Sequence, residues 1–218
     1  MSKTNVQTSD SDDTNQPSVR ERLLAVAAVH FAEHGLQGAS QRAIQREVGV
    51  NPGAANYYFR SKEALYISVI ENALQPILEA RREHLKALPD STDFPSRLRY
   101  LLRSYLGPMV READTQAGHG YLRIVGAQFS HADIALDAME KTVAEVRELY
   151  VDLLSKMFPA ASRNRIYEVL RICVSLSATI PAQYKPENLN KAKIAAMVED
   201  MTEISVLIFQ RLCDPAHP

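Results

Sequence analysis

SQRAIQREVGVNPGAANYYFRSKEAL, running from Ser40 to Leu65, is the stretch that decides the fold. Ser40 is a good helix N-cap, and Ala43, Ile44 and Val48 follow on one helical face until Gly49 offers the left-handed exit that ends the helix. Asn51 caps a second helix with Pro52 at its first position, where a missing amide costs nothing. Gly53 leaves the leading edge bare for a close approach, and Asn56, Tyr57 and Tyr58 follow. Two short helices about such a turn have helix-turn-helix geometry: the first crosses a phosphate backbone, and the second sets its N-terminal residues against base edges in the major groove.

Working outward, Val19, Leu23, Val26, Ala27, His30 and Phe31 recur at helical spacing from Pro17 or Ser18 to Gly35, giving a first helix that braces the other two. Met1 to Gln16 is rich in Ser, Thr, Asn and Asp without apolar periodicity, and reads as a disordered tail. The chain carries a formal net charge of −1, which argues against nucleic acid until its distribution is considered. Between Gln41 and Lys62, Arg42, Arg46, Arg60 and Lys62 stand against the single anion Glu47, and local charge governs a phosphate contact. Arg42 and Lys62, each beside an N-cap, are the candidates for phosphates, whereas Arg46 reads as a solvated helix charge.

From Arg20 to Leu74 the chain resembles the DNA-binding domain of the TetR family of transcriptional regulators. The resemblance rests on RLLAVAAVHFAEHG (22–35), QRAIQREVGV and NPGAANYYFRSKEAL, most of all on Tyr58-Phe59 and Ser61-Lys62-Glu63. Family members often carry Lys or another polar residue at the place of Pro52 and an aromatic at that of Asn56. Pro52 thus removes a cationic contact, and Asn56 adds an amide able to pair bidentately with an adenine edge. The resemblance implies a homodimeric repressor on double-stranded operator DNA. Contacts are expected from Ser40, Gln41, Arg42, Asn51, Pro52, Gly53, Asn56, Tyr57, Tyr58 and Lys62.

The expected fold is all-α. A helix-turn-helix domain over 17–64 follows the tail of 1–16, and a helical effector-binding and dimerisation domain occupies 65–218. A helix from Ser61 to about Leu88 joins them, bent at Pro76, and Pro89 to Phe94 reads as a loop. Further helices are expected near Pro95–Val110, Gly118–Ser130, Ala132–Phe158, Ser162–Ile180 and Asn190–Leu212. The last two have broad apolar faces, Ile166, Val169, Leu170, Cys173, Val174, Ser177 and Ile180 in one, Ile194, Met197, Met201, Ile204, Ile208 and Leu212 in the other. One stripe suffices to pack a helix on its own domain, so such breadth points to a second subunit or to a deeply buried central helix; the resemblance implies a four-helix dimer interface.

Cys173 and Cys213 sit in apolar patterns and read as reduced core residues, no segment reaches the roughly 18 apolar residues of a membrane span, and the N-terminus is no signal peptide. A cytoplasmic protein without a cofactor is expected. For an effector, Tyr100, Tyr105, Arg123, Gln128, His131, Tyr167 and Arg171 are polar groups within otherwise apolar helices. Arg123, flanked by bulky residues, needs an anion: a ligand carboxylate, or Glu112, Glu140 or Glu145 within the fold. The region from Tyr121 to Ile180 resembles, in overall pattern, the effector domains of TetR-type regulators that respond to fatty acids or related carboxylates. This implies a fatty acid, an acyl thioester or an aromatic acid. A scaffold that keeps the fold without reading DNA, and a metal-dependent enzyme using His30 and His34 at i, i+4 spacing, are the rival readings; HFAEH lacks the HExxH general base.

Overall fold

A computed structural model describes residues 17–90, 93–128 and 134–213, and among them every regular element is a helix. The tail expected over 1–16 lies outside the described residues, as does His131. Helix α1 (Val19–Gly38) opens on a capping box, in which the Glu21 N–H donates to the Ser18 hydroxyl at 3.2 Å and the Ser18 N–H to the Glu21 carboxylate at 2.7 Å. Gly35, at φ 65° and ψ 177°, bends the chain, and one more turn follows. The glycine expected to end the helix therefore marks a kink inside it.

Ser40 caps α2 (Gln41–Val48) through the Ala43 N–H at 3.3 Å, and Gly49 leaves it at φ 76°, a left-handed conformation that any Cβ would strain. After α3 (Pro52–Tyr58), Ser61 caps α4 (Lys62–Lys86) through the Ala64 N–H at 3.1 Å. Leu23, Leu24, Ala27, Phe31, Ile44, Phe59, Leu65 and Tyr66 are buried together, with Phe31 edge-on to Tyr66 at 4.8 Å. Burial of these side chains holds three short helices that could not persist alone.

The body comprises α5 (Phe94–Arg111), a single 3-10 turn at 112–114, α6 (Gln116–Gln128), α7 (Ile134–Met157), α8 (Arg163–Ala182) and α9 (Lys191–Cys213). Helix α5 lies at its centre against α4, α7, α8 and α9, burying Leu98, Leu101, Leu102, Leu106 and Val110. Helices α4 and α6 both pack on α1, so they are the elements through which the body touches the reading head. The seat of α6 is tight: a Cβ on Gly118 would fall 2.2 Å from the Glu112 carbonyl oxygen, and one on Gly120 would lie 3.3 Å from Ala32 Cβ. His119, between these glycines, is buried and donates from Nε2 to the Tyr184 carbonyl at 2.7 Å. Gly118-His119-Gly120 thus belong to the first part of a helix, and the two glycines serve close packing rather than a bend.

Helices α8 and α9 have two apolar sides. Ile166, Val169, Leu170, Cys173 and Ser177 are buried within the monomer, as are Ile194, Met197 and Met201. Ile172, Ile204, Leu207 and Leu212 are exposed, Leu207 by 64%. On α8 the expected face is mostly internal core and Ile172 lies outside it; on α9 the expected face divides, with Ile194, Met197 and Met201 in the core and Ile204 and Leu212 uncovered beside Leu207. Both cysteines are free and buried; burial pushes the Cys173 thiol up to about 11. Among the described residues no helix is long and apolar enough to cross a membrane.

Candidate functional site: a bare helix and an enclosed cavity

On the reading head, Asn51, Gly53, Asn56, Tyr57 and Tyr58 are exposed along α3, with Pro52 at its first position. Tyr57 is 84% exposed, and its ring meets Tyr58 edge-on at 5.3 Å. Gly53 brings no side chain to the start of the helix, and an added Cβ would crowd Asn51 Oδ1 at 3.3 Å. Phe59, next in sequence, is buried, with the Arg20 guanidinium 5.6 Å from its ring centre. One residue thus separates an aromatic left in solvent from the aromatic that anchors the helix. Ser40 and Arg42 are exposed and Gln41 half-buried at the start of α2, and Arg42 makes no ion pair among the described residues.

Two charged groups behave differently from the sequence reading. The Lys62 ammonium donates to the Gln37 and Ala39 carbonyls at 3.2 and 3.3 Å, neutralising the carbonyl-rich end of α1 instead of facing outward. Its position beside the Ser61 cap explains this, because the same turn lies against the exit of α1. His30 Nε2 lies 2.9 Å from Glu47 Oε2, so the one anion of the head stretch is tied to α1, and His30 is occupied by a carboxylate.

The body encloses a cavity of about 70 Å³. Helix α4 contributes Leu74 and Arg81, α5 Tyr105 and Met109, and α6 Tyr121; α7 contributes Met139, Glu140, Val143 and Arg147, and α8 Tyr167, Leu170, Arg171 and Val174. Of the residues anticipated in sequence, Tyr167 and Arg171 line it, as does Tyr105, while Tyr100 and Arg123 do not. The Tyr100 hydroxyl donates to the His84 carbonyl at 2.8 Å and fastens α5 to the end of α4. Arg123 is exposed and lies over a shallow groove with Val29, Ala32, Glu33 and Pro186. None of its three candidate carboxylates is its partner: Glu140 pairs with Arg147, Glu145 with Arg82, and Glu112 makes no ion pair among the described residues. Arg123 sits among apolar neighbours in sequence, but its own register on α6 turns it to solvent. Gln128 is the last residue of α6.

Sequence reasoning missed Arg81, Glu140, Arg147 and Tyr121 as wall residues. Arg81 is only 1% exposed, with Nε donating to the Tyr105 carbonyl at 2.8 Å and the guanidinium 3.9 Å from that ring centre. A signal existed: Ile70, Leu74 and Ile77 form a buried row on α4, and Arg81 is its next member. On the opposite wall Arg147 pairs with Glu140 and lies 4.8 Å from the Tyr167 ring centre, while the Tyr167 hydroxyl donates to Glu140 at 3.1 Å. A more open groove of about 250 Å³ lies between α1, α4 and α6, and Tyr121 borders both spaces.

Residues 23–69 match the family of bacterial regulatory proteins, tetR family, and residues 103–203 match the tetracyclin repressor-like C-terminal domain. The chain belongs to the TetR family. Regulators of this family bind operator DNA, typically as dimers with small-molecule effectors. Over 79 residues the chain is 32% identical to the HTH-type transcriptional regulator UidR of Escherichia coli, a match covering 36% of this chain and 40% of that protein's length. The HTH-type transcriptional repressor KstR2 of Rhodococcus jostii is 27% identical over 147 residues, 66% of this chain and 68% of the relative. The solved structure of the ketosteroid transcriptional regulator KstR2 of Mycobacterium tuberculosis superposes with a TM-score of 0.62 at 19% identity, covering 88% of this chain and 95% of that one. The fatty acid degradation regulator FadR from Bacillus halodurans gives 0.59 at 15% identity, covering 88% and 97%. At these identities the two structures share the TetR fold with this chain.

Proposed function

We propose that this TetR-type regulator is a cytoplasmic, homodimeric repressor released from its operator by a small apolar organic acid held in the body cavity. The observation that carries the reading is the wall of that cavity. Arg81 and Leu74 belong to α4, whose N-terminus follows directly on the reading helix, so an occupant acts on the element that sets the spacing of the heads. Asn56 and Tyr57 read bases, while Ser40, Gln41, Arg42, Asn51, Pro52, Gly53 and Tyr58 place the helices on phosphates. Lys62 supports from behind, through the carbonyls of Gln37 and Ala39. Two copies associate through Ile172, Ile204, Leu207 and Leu212, as reading two half-sites by two-fold symmetry requires. The apolar lining, Leu74, Met109, Met139, Val143, Leu170 and Val174, suits a mostly hydrocarbon ligand.

An effector shifts the equilibrium only by its preference for the non-binding conformation, and operator DNA must weaken effector binding by the same factor. The experiment is electrophoretic retention of the DNA upstream of this protein's gene, titrated with salt and with fatty, acyl-thioester and aromatic acids. Sequence-specific, salt-sensitive retention that one acid class reverses is the expected result. Retention indifferent to sequence favours a scaffold and overturns the reading.

A further inference from the structure

We infer that Arg81 and Tyr121 form a carboxylate clamp, and that its occupant is a compact, free monocarboxylic acid that ties α4 to α6. The inference rests on the effector reading above and gives that site its anchor and its ligand chemistry.

Two polar atoms in the cavity wall are buried without a hydrogen-bond partner: Arg81 Nη2 and the Tyr121 hydroxyl. Native structures leave few such groups, and one that lines a cavity is a group awaiting a ligand. A guanidinium only donates, and burial pushes the Tyr121 phenol well above its ordinary range, so it too keeps its proton and donates at neutral pH. The Arg81 charge acts on that phenol, which places the two donors in one electrostatic neighbourhood. What they lack is an acceptor carrying negative charge.

Among the described residues the fold supplies none. Arg81 makes no ion pair among the described residues, and its Nε is spent on a neutral carbonyl. Glu140, the carboxylate in the wall, is committed to Arg147 and Tyr167 on the α7–α8 side. A buried guanidinium without a carboxylate is costly, and a ligand carboxylate removes the cost through charge-assisted bonds. The cavity limits the rest of the ligand. An enclosed apolar cavity that takes a benzene ring measures roughly 150 Å³, whereas this one measures about 70 Å³. The enclosed part accepts a carboxyl head and a few carbons. Arg171, also in the wall, is exposed on α8. A thioester brings neither the charge nor the size.

The clamp also connects the cavity to DNA. Its two halves sit on α4 and α6, the two body helices that pack on α1, and Gly120, beside Tyr121, lies against Ala32 and the Ala28 carbonyl of that helix. Tyr121 itself borders the groove between α1, α4 and α6. A carboxylate held by both donors therefore fixes the α4–α6 spacing on which the head rests.

Tyr121→Phe is the clean test, because it deletes only the unpartnered hydroxyl. Binding of propanoate, butanoate and hexanoate, each beside its primary amide, is measured calorimetrically on the full chain, wild type and variant, with melting temperature as the check on folding. The wild type is expected to bind the acids and not the amides. Tyr121→Phe should fold and bind the acids roughly 10- to 100-fold more weakly, the loss of one hydrogen bond to a charged group. Arg81→Lys, which keeps the charge without the fork, should lose affinity as well. Equal acid affinity in the wild type and Tyr121→Phe overturns the clamp. Binding of the amides as tightly as the acids, or no acid binding at all, overturns the carboxylate assignment. Operator retention by the wild type, run alongside, separates the claims: if it fails, the regulator reading fails, and if it holds without acid binding, only the clamp does.

Discussion

The two ends of the path through α4 treat polar groups in opposite ways. At the head, Asn56, Tyr57 and Tyr58 stand in solvent on seven residues of helix, and their neighbour Phe59 does the anchoring. In the body, Arg81, Tyr121 and Tyr105 are buried among five helices, and Arg171 is an exposed residue of the same wall. A partner as large as a duplex must find its contacts already exposed, so the surface carries them on one local element. A small ligand is worth recognising only where water is excluded, so its contacts come from segments far apart in the chain.

The largest test of this contrast concerns a third surface that is neither bare polar nor sealed apolar. Ile204 and Leu207 are exposed, whereas Cys173 beneath them is fully buried. The double variant Ile204→Glu with Leu207→Glu should sediment as a folded monomer and lose operator affinity by about 100-fold or more, as two half-sites cease to be read together. Cys173→Asp should instead unfold the body, since an unpaired charge in the core costs several kcal/mol. A double variant that stays dimeric moves the interface elsewhere.

Next in size is the seat of α6. Gly118→Ala drives a Cβ to within 2.2 Å of the Glu112 carbonyl oxygen, a backbone atom that cannot swing aside. Overpacking of this kind costs roughly 1–3 kcal/mol. For a chain of this length the melting temperature should fall by about 2–4 °C for each of those kcal/mol. An unchanged melting temperature would mean that the junction of body and head is looser than its contacts imply.

The head answers to smaller, more selective changes. Asn56→Ala should cost about 1–3 kcal/mol on the preferred sequence and relax preference at one base pair. Arg42→Ala should weaken all sequences alike and lower the salt slope by about one unit. Binding isotherms on matched and single-mismatch duplexes at several salt concentrations separate the two, and equal loss of sequence preference in both variants would reverse the assignment.

Head and body differ in how far their structure is written in local sequence. Caps at Ser40 and Ser61, the left-handed Gly49 and the run from Gln41 to Tyr58 act over three or four residues, so the head was legible from its own letters. Helix positions in the body followed from periodicity to within a few residues. The cavity did not, because which side of α6 faces inward depends on contacts that no local pattern records. Arg123 and Tyr121 stand two residues apart on α6, one exposed and one buried. The apolar residues around Arg123 suggested a buried cation, but adjacent positions on a helix point in different directions. Arg81 escaped notice for the converse reason: it continues the row of Ile70, Leu74 and Ile77 on α4, but a charged residue does not register in an apolar periodicity.

The smallest effect expected is one of pH, at the junction between the two regions. Glu112 borders the groove between α1, α4 and α6, and burial holds its carboxyl above the ordinary carboxylate range. The folded chain therefore binds the proton more readily than the unfolded chain, and stability contributed by this group falls as pH rises from the unfolded to the folded pKa. Above the folded value the cost of the buried charge is constant; below the ordinary carboxylate range it is absent. Glu112→Gln removes the charge at every pH. The variant should melt higher than the wild type at neutral pH, with the gap narrowing as the solution is acidified through the raised pKa and closing once the unfolded chain is protonated too. Melting curves across that range check the sign. A gap that is constant with pH would assign the effect to packing against Gly118 and leave the carboxyl without a titrating role in the junction.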